Sequence, residues 1–265
     1  MLTALLLGGV VGTILGLTGA GGGILAVPAL TLGLGWTMNQ AAPVALLSVA
    51  IASSIGALNG LKRGELRYRA AILMATVGIL FAQFGQWAAK NLTENILIII
   101  FTVIMFLVAF RLWRSAETHS LSDDGLADSP KRIRKITLHT GRIVWNFTSF
   151  ITLSAIGALA GMTTGLLGVG GGFIIVPALL RCSEVTLTGI VATSLMVIAL
   201  ISGVTFILTL STTSFEMPLL GWLFICASAV GMVLGRYLSV KIPQMQLQRF
   251  LAILIFIIAL ILIIR

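Results

Sequence analysis

The sequence predicts an all-α polytopic membrane protein, built as two inverted-topology repeats of about five segments each. Three observations carry this prediction. A glycine-rich string occurs twice, apolar runs near 20 residues long recur along the chain, and the charges gather in the connections between them.

The repeat is the most specific of the three. Gly12-Thr13-Ile14-Leu15-Gly16-Leu17-Thr18-Gly19-Ala20-Gly21-Gly22-Gly23-Ile24-Leu25-Ala26-Val27-Pro28-Ala29-Leu30 aligns without a gap with Gly161-Met162-Thr163-Thr164-Gly165-Leu166-Leu167-Gly168-Val169-Gly170-Gly171-Gly172-Phe173-Ile174-Ile175-Val176-Pro177-Ala178-Leu179. Every glycine of the first copy meets a glycine of the second, and Val-Pro-Ala-Leu meets Val-Pro-Ala-Leu. The chain is two halves of one design.

Composition places that design in a bilayer. Of 265 residues, 58% are hydrophobic and 9% charged, and the mean hydropathy is +1.11. Soluble domains carry about 25% charged residues, so a soluble fold of this size would lack the charge to cover its surface. The apolar runs are continuous, whereas a membrane β-barrel alternates over roughly ten residues. The net charge of +9 does not indicate nucleic acid, because the basic residues sit in connections where membrane orientation explains them. Cys182 and Cys226 give neither a disulfide framework nor a metal spacing. The first apolar run has no basic region before it and leads into a motif that recurs deep in the chain, so a cleaved signal peptide is not expected.

In order, segment one spans about Leu2 to Leu17. The first glycine turn follows, then a short segment two, about Ile24 to Gly35, with Pro28 and Gly33. Segment three, about Asn39 to Leu61, is small and polar, with Ser48, Ser53, Ser54, Gly56, Asn59 and Gly60. Small residues let helices approach and hydroxyls can line a path. Segment four, about Ala70 to Ala89, carries Gln83 and Gln86 one turn apart, and segment five spans about Asn95 to Trp113. Residues 114–141 form a polar linker that holds His119, His139 and mixed charge. The second half repeats the plan: about Ile143 to Leu167, the second glycine turn, a short Phe173 to Leu180, Val185 to Leu210, Met217 to Leu238, and Leu247 to Ile264. The domains predicted are thus 1–113, the linker 114–141 and 142–265.

Basic residues gather at 62–69, 111–142 and 236–249, which faces those stretches to the cytoplasm. Threading the segments between them puts both termini outside and starts the halves from opposite faces. Five segments per half, an odd number, force that inversion, which is common in secondary transporters.

The glycine turns carry the chemistry. Each is followed by a short helix with Pro28 or Pro177 in its first turns, a candidate hinge. A break inside a membrane frees backbone groups that must line a cavity or pack on protein. Gly21-Gly22-Gly23 and Gly170-Gly171-Gly172 allow left-handed backbone and close approach of a ligand. The following helix offers unpaired N–H groups and a dipole end of roughly half an elementary charge. Inversion brings two half-spanning hairpins together near the midplane, a site for a small anion with several oxygens. All eight acidic residues lie in loops or at segment ends, so no mid-membrane carboxylate holds a cation or relays a proton. The predicted ligand-binding residues are Thr18, Gly19, Ala20, Gly21, Gly22, Gly23, Gly168, Val169, Gly170, Gly171, Gly172, Thr193 and Ser194. The first half has Val44-Ala45 where the second has Thr193-Ser194, so the contributions are unequal. Segment eight also carries Ser202, Gly203 and Thr205. The four-residue spacing of Gly12 and Gly16, and of Gly161 and Gly165, is instead a packing spacing.

The doubled Gly-x-x-x-Gly-x-x-Gly-x-Gly-Gly-Gly followed by Val-Pro-x-Leu, with Val191-Ala192-Thr193-Ser194-Leu195 after the second copy, resembles the TauE/SafE sulfite exporter family, also called the toluene sulfonate uptake permease family. The resemblance covers both halves, and departs at Val44-Ala45. It implies transport of sulfur-containing anions: sulfite, thiosulfate, sulfoacetate or another organosulfonate.

The function expected is therefore a secondary transporter, an exporter of such an anion, working by alternating access in a bacterial cytoplasmic (inner) membrane. A passive anion channel would use the same half-helix dipoles. An enzyme is not expected: there is no His pair, no Cys-x-x-Cys and no Ser-His-acid set, and the glycine turns follow no strand and precede no P-loop lysine. No cofactor and no metal are expected. The partners are the anion and the lipid bilayer, with no nucleic acid. The sequence leaves a homo-oligomer open.

Overall fold

The structure, a computed structural model, describes residues 1–19, 22–120, 147–182, 186–212, 217–239 and 244–264. Among these residues there are ten α-helices and no strand. They are α1 (Leu2–Thr18), α2 (Ala26–Leu34, entered through a 3-10 turn at Gly22–Leu25), α3 (Met38–Lys62), α4 (Tyr68–Asn91) and α5 (Glu94–Ser120), then α6 (Phe147–Leu167), α7 (Gly172–Cys182), α8 (Leu187–Thr212), α9 (Leu219–Leu238) and α10 (Gln244–Ile264). The ten helices match the ten predicted segments. One boundary moves: α5 runs on to Ser120, into the expected linker. The rest of the linker, 121–146, and the predicted start of segment six at Ile143 lie outside the described residues.

Six described helices are long and apolar enough to cross a membrane: α3, α4, α5 over Glu94–Arg114, α6, α8 and α9. The short segments are short as expected. The 11 residues of α7 rise about 16 Å, half of a bilayer core. The outward faces are apolar, with Phe84, Phe110, Ile207 and Val230 all more than half exposed; lipid, not water, is the solvent for such a surface. Exposed Tyr68, Trp113 and Tyr237 lie toward the basic end, and exposed Trp87 and Trp222 toward the other, as aromatic side chains do at the two edges of a bilayer. This is a multi-pass membrane protein.

The halves interleave. α1 packs on α9, and its repeat counterpart α6 packs on α4, the counterpart of α9. α3 packs on its own counterpart α8, α5 on α10, and α3 with α9 mirrors α8 with α4. Exchanging the halves therefore exchanges the contacts. One apolar core draws on both, with Ile24, Val49, Met74 and Phe101 from the first and Ile175, Ile198, Phe224 and Ile255 from the second.

Glycines set how close the helices come. A Cβ on Gly8, Gly12 or Gly16 would overlap the carbonyl oxygens of Phe224, Ser228 and Met232 respectively; one on Gly157, Gly161 or Gly165 would overlap those of Met74, Gly78 and Ala82. The packing spacing read from the sequence is thus extended by one glycine at each seam. Residue numbers rise together along both seams, so α1 runs parallel to α9 and α6 parallel to α4. Along α3 and α8 they run oppositely: Gly60 faces Ala192 and Gly56 faces Leu195. The two equivalent helices are antiparallel. A buried hydroxyl pair, Ser48 Oγ to Ser228 Oγ at 2.7 Å, joins α3 to α9.

Polar contacts fix the two ends. At one, Glu94 accepts the Met38 N–H at 2.8 Å, and Gln40 reaches back to the Thr37 N–H at 3.4 Å. These satisfy orphan donors at the start of α3. At the other, the Arg67 N–H donates to Thr193 Oγ1 at 3.2 Å, tying the α3–α4 connection to the start of α8.

Candidate anion site at the glycine turns

Each leading helix overruns the point where its return begins. Gly19 ends α1 with φ 70°, and its N–H bonds to Leu15 O at 2.8 Å. Gly168 ends α6 with φ 73°, and its N–H bonds to Thr164 O at 2.8 Å. Both are left-handed caps that glycine adopts at no steric cost. A Cβ on Gly19 would strike the Val191 side chain, and one on Gly168 would lie 2.9 Å from Ala42 Cα. Ala42 and Val191 occupy the same repeat position, one turn or so inside α3 and α8.

The chain then doubles back. Gly22 folds against the Leu15 backbone and Gly171 against the Ala160 carbonyl. A Cβ on Gly23 would lie 2.6 Å from the Val169 carbonyl oxygen and 3.6 Å from Val49 Cγ1; one on Gly170 would lie 2.8 Å from Val49 Cγ1, 3.1 Å from Ile198 Cγ2 and 3.2 Å from Ser202 Oγ. Val49 and Ile198 are again repeat equivalents, near the middle of their helices. They stand seven residues, about 10 Å, from Ala42 and Val191. The two turns therefore overlap lengthwise and touch at the centre, where the sequence alone suggested tips that simply meet.

The predicted residues divide by position. Gly23 of the first turn and Val169 and Gly170 of the second come together around Val49 and Ile198, whereas Gly19 sits at Val191, Gly168 at Ala42, Gly22 against Leu15 and Gly171 against Ala160, and Gly172 opens α7. Ala20 and Gly21 lie outside the described residues. Ser194, fully buried, touches the first turn: its Oγ donates to Gly19 O at 3.4 Å and to Val191 O at 2.9 Å. Thr18 Oγ1 donates back to Ile14 O at 2.8 Å. Thr193 Oγ1 donates to Gly189 O at 2.7 Å and accepts from the Arg67 N–H at 3.2 Å, so it holds a connection. Pro28 lies in the first turn of α2, and Pro177 is the sixth residue of α7. Pro28 removes no helical bond, because first-turn N–H groups have no intrahelical partner, whereas Pro177 leaves the carbonyl of Phe173 without its usual donor. Gln83 is exposed, whereas Gln86 bonds across to Thr205 O at 3.1 Å and to Thr209 Oγ1.

Two hydroxyls of segment eight stand outside the predicted ligand set. Ser202 is fully buried beside Gly170 and Thr205 is one turn further along α8, and neither hydroxyl has a hydrogen-bond partner. A signal existed: Ser202 aligns with Ser53 under the repeat that relates α3 to α8.

The described Lys and Arg residues lie toward helix ends and connections, leaving the centre without a formal charge. Its electrostatics come from oriented peptides: α7 starts at Gly172, its Ile174 N–H closes on Gly171 O at 3.1 Å, and the Gly172 and Phe173 N–H groups with the positive dipole end remain at the turn. Among the described residues no group of His, Cys, Asp and Glu is arranged to hold a metal. A separate cavity of about 580 Å³ opens between α2, α3, α5 and α10, lined by Thr31, Trp36, Glu94, Thr102 and Leu262. It lies at the Glu94 end. At the basic end Arg236 lies close enough to Arg63 and Glu65 to feel both charges.

Comparison with known proteins agrees with this architecture. The family model described as "Sulfite exporter TauE/SafE" matches residues 4–262. A probable membrane transporter protein of Xylella fastidiosa (strain Temecula1) is 29% identical over 195 residues, 72% of this chain and 67% of its own length. The probable membrane transporter protein MJ0441 of Methanocaldococcus jannaschii is 26% identical over 219 residues, 80% of this chain and 73% of its own length. No solved structure matches the chain.

Proposed function

This chain belongs to the sulfite exporter TauE/SafE family, and from that premise we infer that it is a secondary transporter that exports a small sulfur-containing anion, such as sulfite, thiosulfate, sulfoacetate or another organosulfonate, across the bacterial cytoplasmic membrane. That it is a membrane transporter follows from the family and from its relatives.

The observation that carries the finer reading is the contact of Gly23 with the Val169 carbonyl. Two chain reversals, each closed by glycines and each followed by a short helix, meet there between antiparallel counterparts α3 and α8. Such a centre offers backbone donors and no competing carboxylate, which suits an oxyanion. The antiparallel equivalents, and the exchange of contacts between the halves, support an inverted repeat, and with it alternating access about the shared site. The clustering of basic connections at one end supports a cytoplasmic orientation for that end.

Counterflow in proteoliposomes tests this. Preloaded sulfite or a sulfonate should accelerate uptake of the labelled anion, with saturation. Flux that rises linearly with gradient and shows no trans-stimulation would replace the carrier with a channel. Failure of every sulfur anion to exchange would remove the substrate class.

A further inference from the structure

Ser202 and Thr205 stand out among the buried hydroxyls. A Ser or Thr inside a helix usually satisfies itself by bonding a carbonyl one turn back. Ser53, Thr164 and Thr193 do this, to Ala50 O at 3.3 Å, Ala160 O at 2.6 Å and Gly189 O at 2.7 Å. Ser202, the repeat equivalent of Ser53, is 0% exposed and Thr205 is 1% exposed, yet neither is bonded. An unsatisfied buried hydroxyl forfeits the hydrogen bonds it had in water, so two on one helix face need a reason. Ser202 supplies one by its aim. Its Oγ lies 3.2 Å from the Cβ position of Gly170, two residues before the first residue of α7. It lies beside the turn that leads into α7, where the Ile174 N–H closes on Gly171 O at 3.1 Å and the N–H groups of Gly172 and Phe173 have no helical carbonyl behind them. Thr205, three residues on, shares that face of α8.

We propose that Ser202 and Thr205, together with the N-terminus of α7, bind the oxygens of the transported anion, and that the site selects a singly charged oxyanion headgroup over a doubly charged one. This rests on the transporter reading above and assigns the ligands within it. Every donor in the set is neutral, and the described basic residues stand toward the helix ends. In the Born picture the cost of drying an ion grows as the square of its charge, so a dianion costs roughly four times as much as a monoanion. Two hydroxyls and a half-charge dipole end balance one charge far better than two. Sulfonates and bisulfite carry one charge; sulfate and thiosulfate carry two. The counterpart turn cannot contribute equally, because Ser53 is bonded within its own helix and Gly56 stands where α8 has Thr205.

The test uses the full chain in proteoliposomes, with labelled methanesulfonate as probe and thermal unfolding in detergent as a second readout. Ser202→Ala is expected to raise the KM for methanesulfonate about tenfold and Thr205→Val several-fold, with Ser202→Thr retaining part of the affinity and Ser53→Ala near wild type. Unfolding of Ser202→Ala should occur at an unchanged or higher temperature, since an unsatisfied hydroxyl is removed. Methanesulfonate should compete better than sulfate or thiosulfate, and sulfite should compete better as the pH falls and bisulfite forms. Wild-type KM in Ser202→Ala, or a lower unfolding temperature with unchanged KM, would overturn the assignment and leave the transporter reading in place. Stronger competition by sulfate than by methanesulfonate would overturn the charge selection. A wild-type protein that moves neither methanesulfonate nor any sulfur anion would overturn both the reading and the assignment.

Discussion

The Val169 carbonyl oxygen lies 2.6 Å from where a side chain on Gly23 would begin. That places a backbone atom of one repeat inside the space a single methyl on the other would need. Gly23 does not need a left-handed φ, so a substitution there acts by contact alone. Gly23→Val should reduce anion exchange at least a hundredfold while the protein still inserts and retains its helical circular dichroism. Exchange near the wild-type rate would mean the turns part without consequence.

Gly22 and Gly171 behave differently. A Cβ on either would overlap backbone of the leading helix, and Gly171 also holds φ 60°. Bulky residues there should fail to fold. Size-exclusion profiles of purified Gly171→Leu should show aggregate, whereas Gly23→Val should elute as wild type.

Ser194 and Thr193 are adjacent and separable. Ser194→Ala removes a hydroxyl from the first turn and should lower exchange several-fold with little change in unfolding temperature. Thr193→Val removes the acceptor of the Arg67 N–H, costing about 1 kcal/mol. It should lower the unfolding temperature without altering KM. The reverse pattern would show that the sequence's pairing of the two hydroxyls at the site was right for Thr193.

The packing seams give a sharper contrast. Gly12→Leu and Gly161→Leu each push a side chain into a facing carbonyl and should abolish purifiable protein. Gly9, on the same helix, has open space at its Cβ position. Gly9→Ala should be neutral or stabilise by up to about 1 kcal/mol. Thermal unfolding of the variants in detergent checks both.

Ser48 and Ser228 form a buried pair across α3 and α9. A double-mutant cycle with alanine at each should give a coupling of about 0.5–1 kcal/mol, the range for hydroxyl bonds between membrane helices. Zero coupling would mean that each serine bonds only within its own helix, as Ser228 also does to Ile225 O at 2.8 Å.

Much of this was legible in the sequence. Hydropathy located the helices because a bilayer forces every spanning backbone to satisfy itself locally. The repeat located the turns because three glycines in a row have few other uses in an apolar chain. What the string could not give was which surfaces meet. A repeat states that α1 and α6 are equivalent; it does not say that each packs on the fourth helix of the other half. Nor could it show that the leading helices pass the centre before returning, since Gly19 and Gly23 read as one continuous turn. It also could not show that Thr193 Oγ1 takes the Arg67 N–H, because composition places a hydroxyl on α8 but not on a face of it. Ser202 was legible as one hydroxyl of segment eight and as the repeat equivalent of Ser53, but not as one left without a partner.

The interleaved seams also bear on how the chain is made. α1 leaves the ribosome some two hundred residues ahead of α9, its main neighbour. Through most of synthesis its row of glycines faces lipid with nothing to close upon, and α4 likewise waits for α6. Assembly is then a late event, gated by the arrival of the second half, and a nascent first half is a natural client for membrane chaperones. Supplied as two separate polypeptides cut within 121–146, the halves should recover exchange together and fail apart.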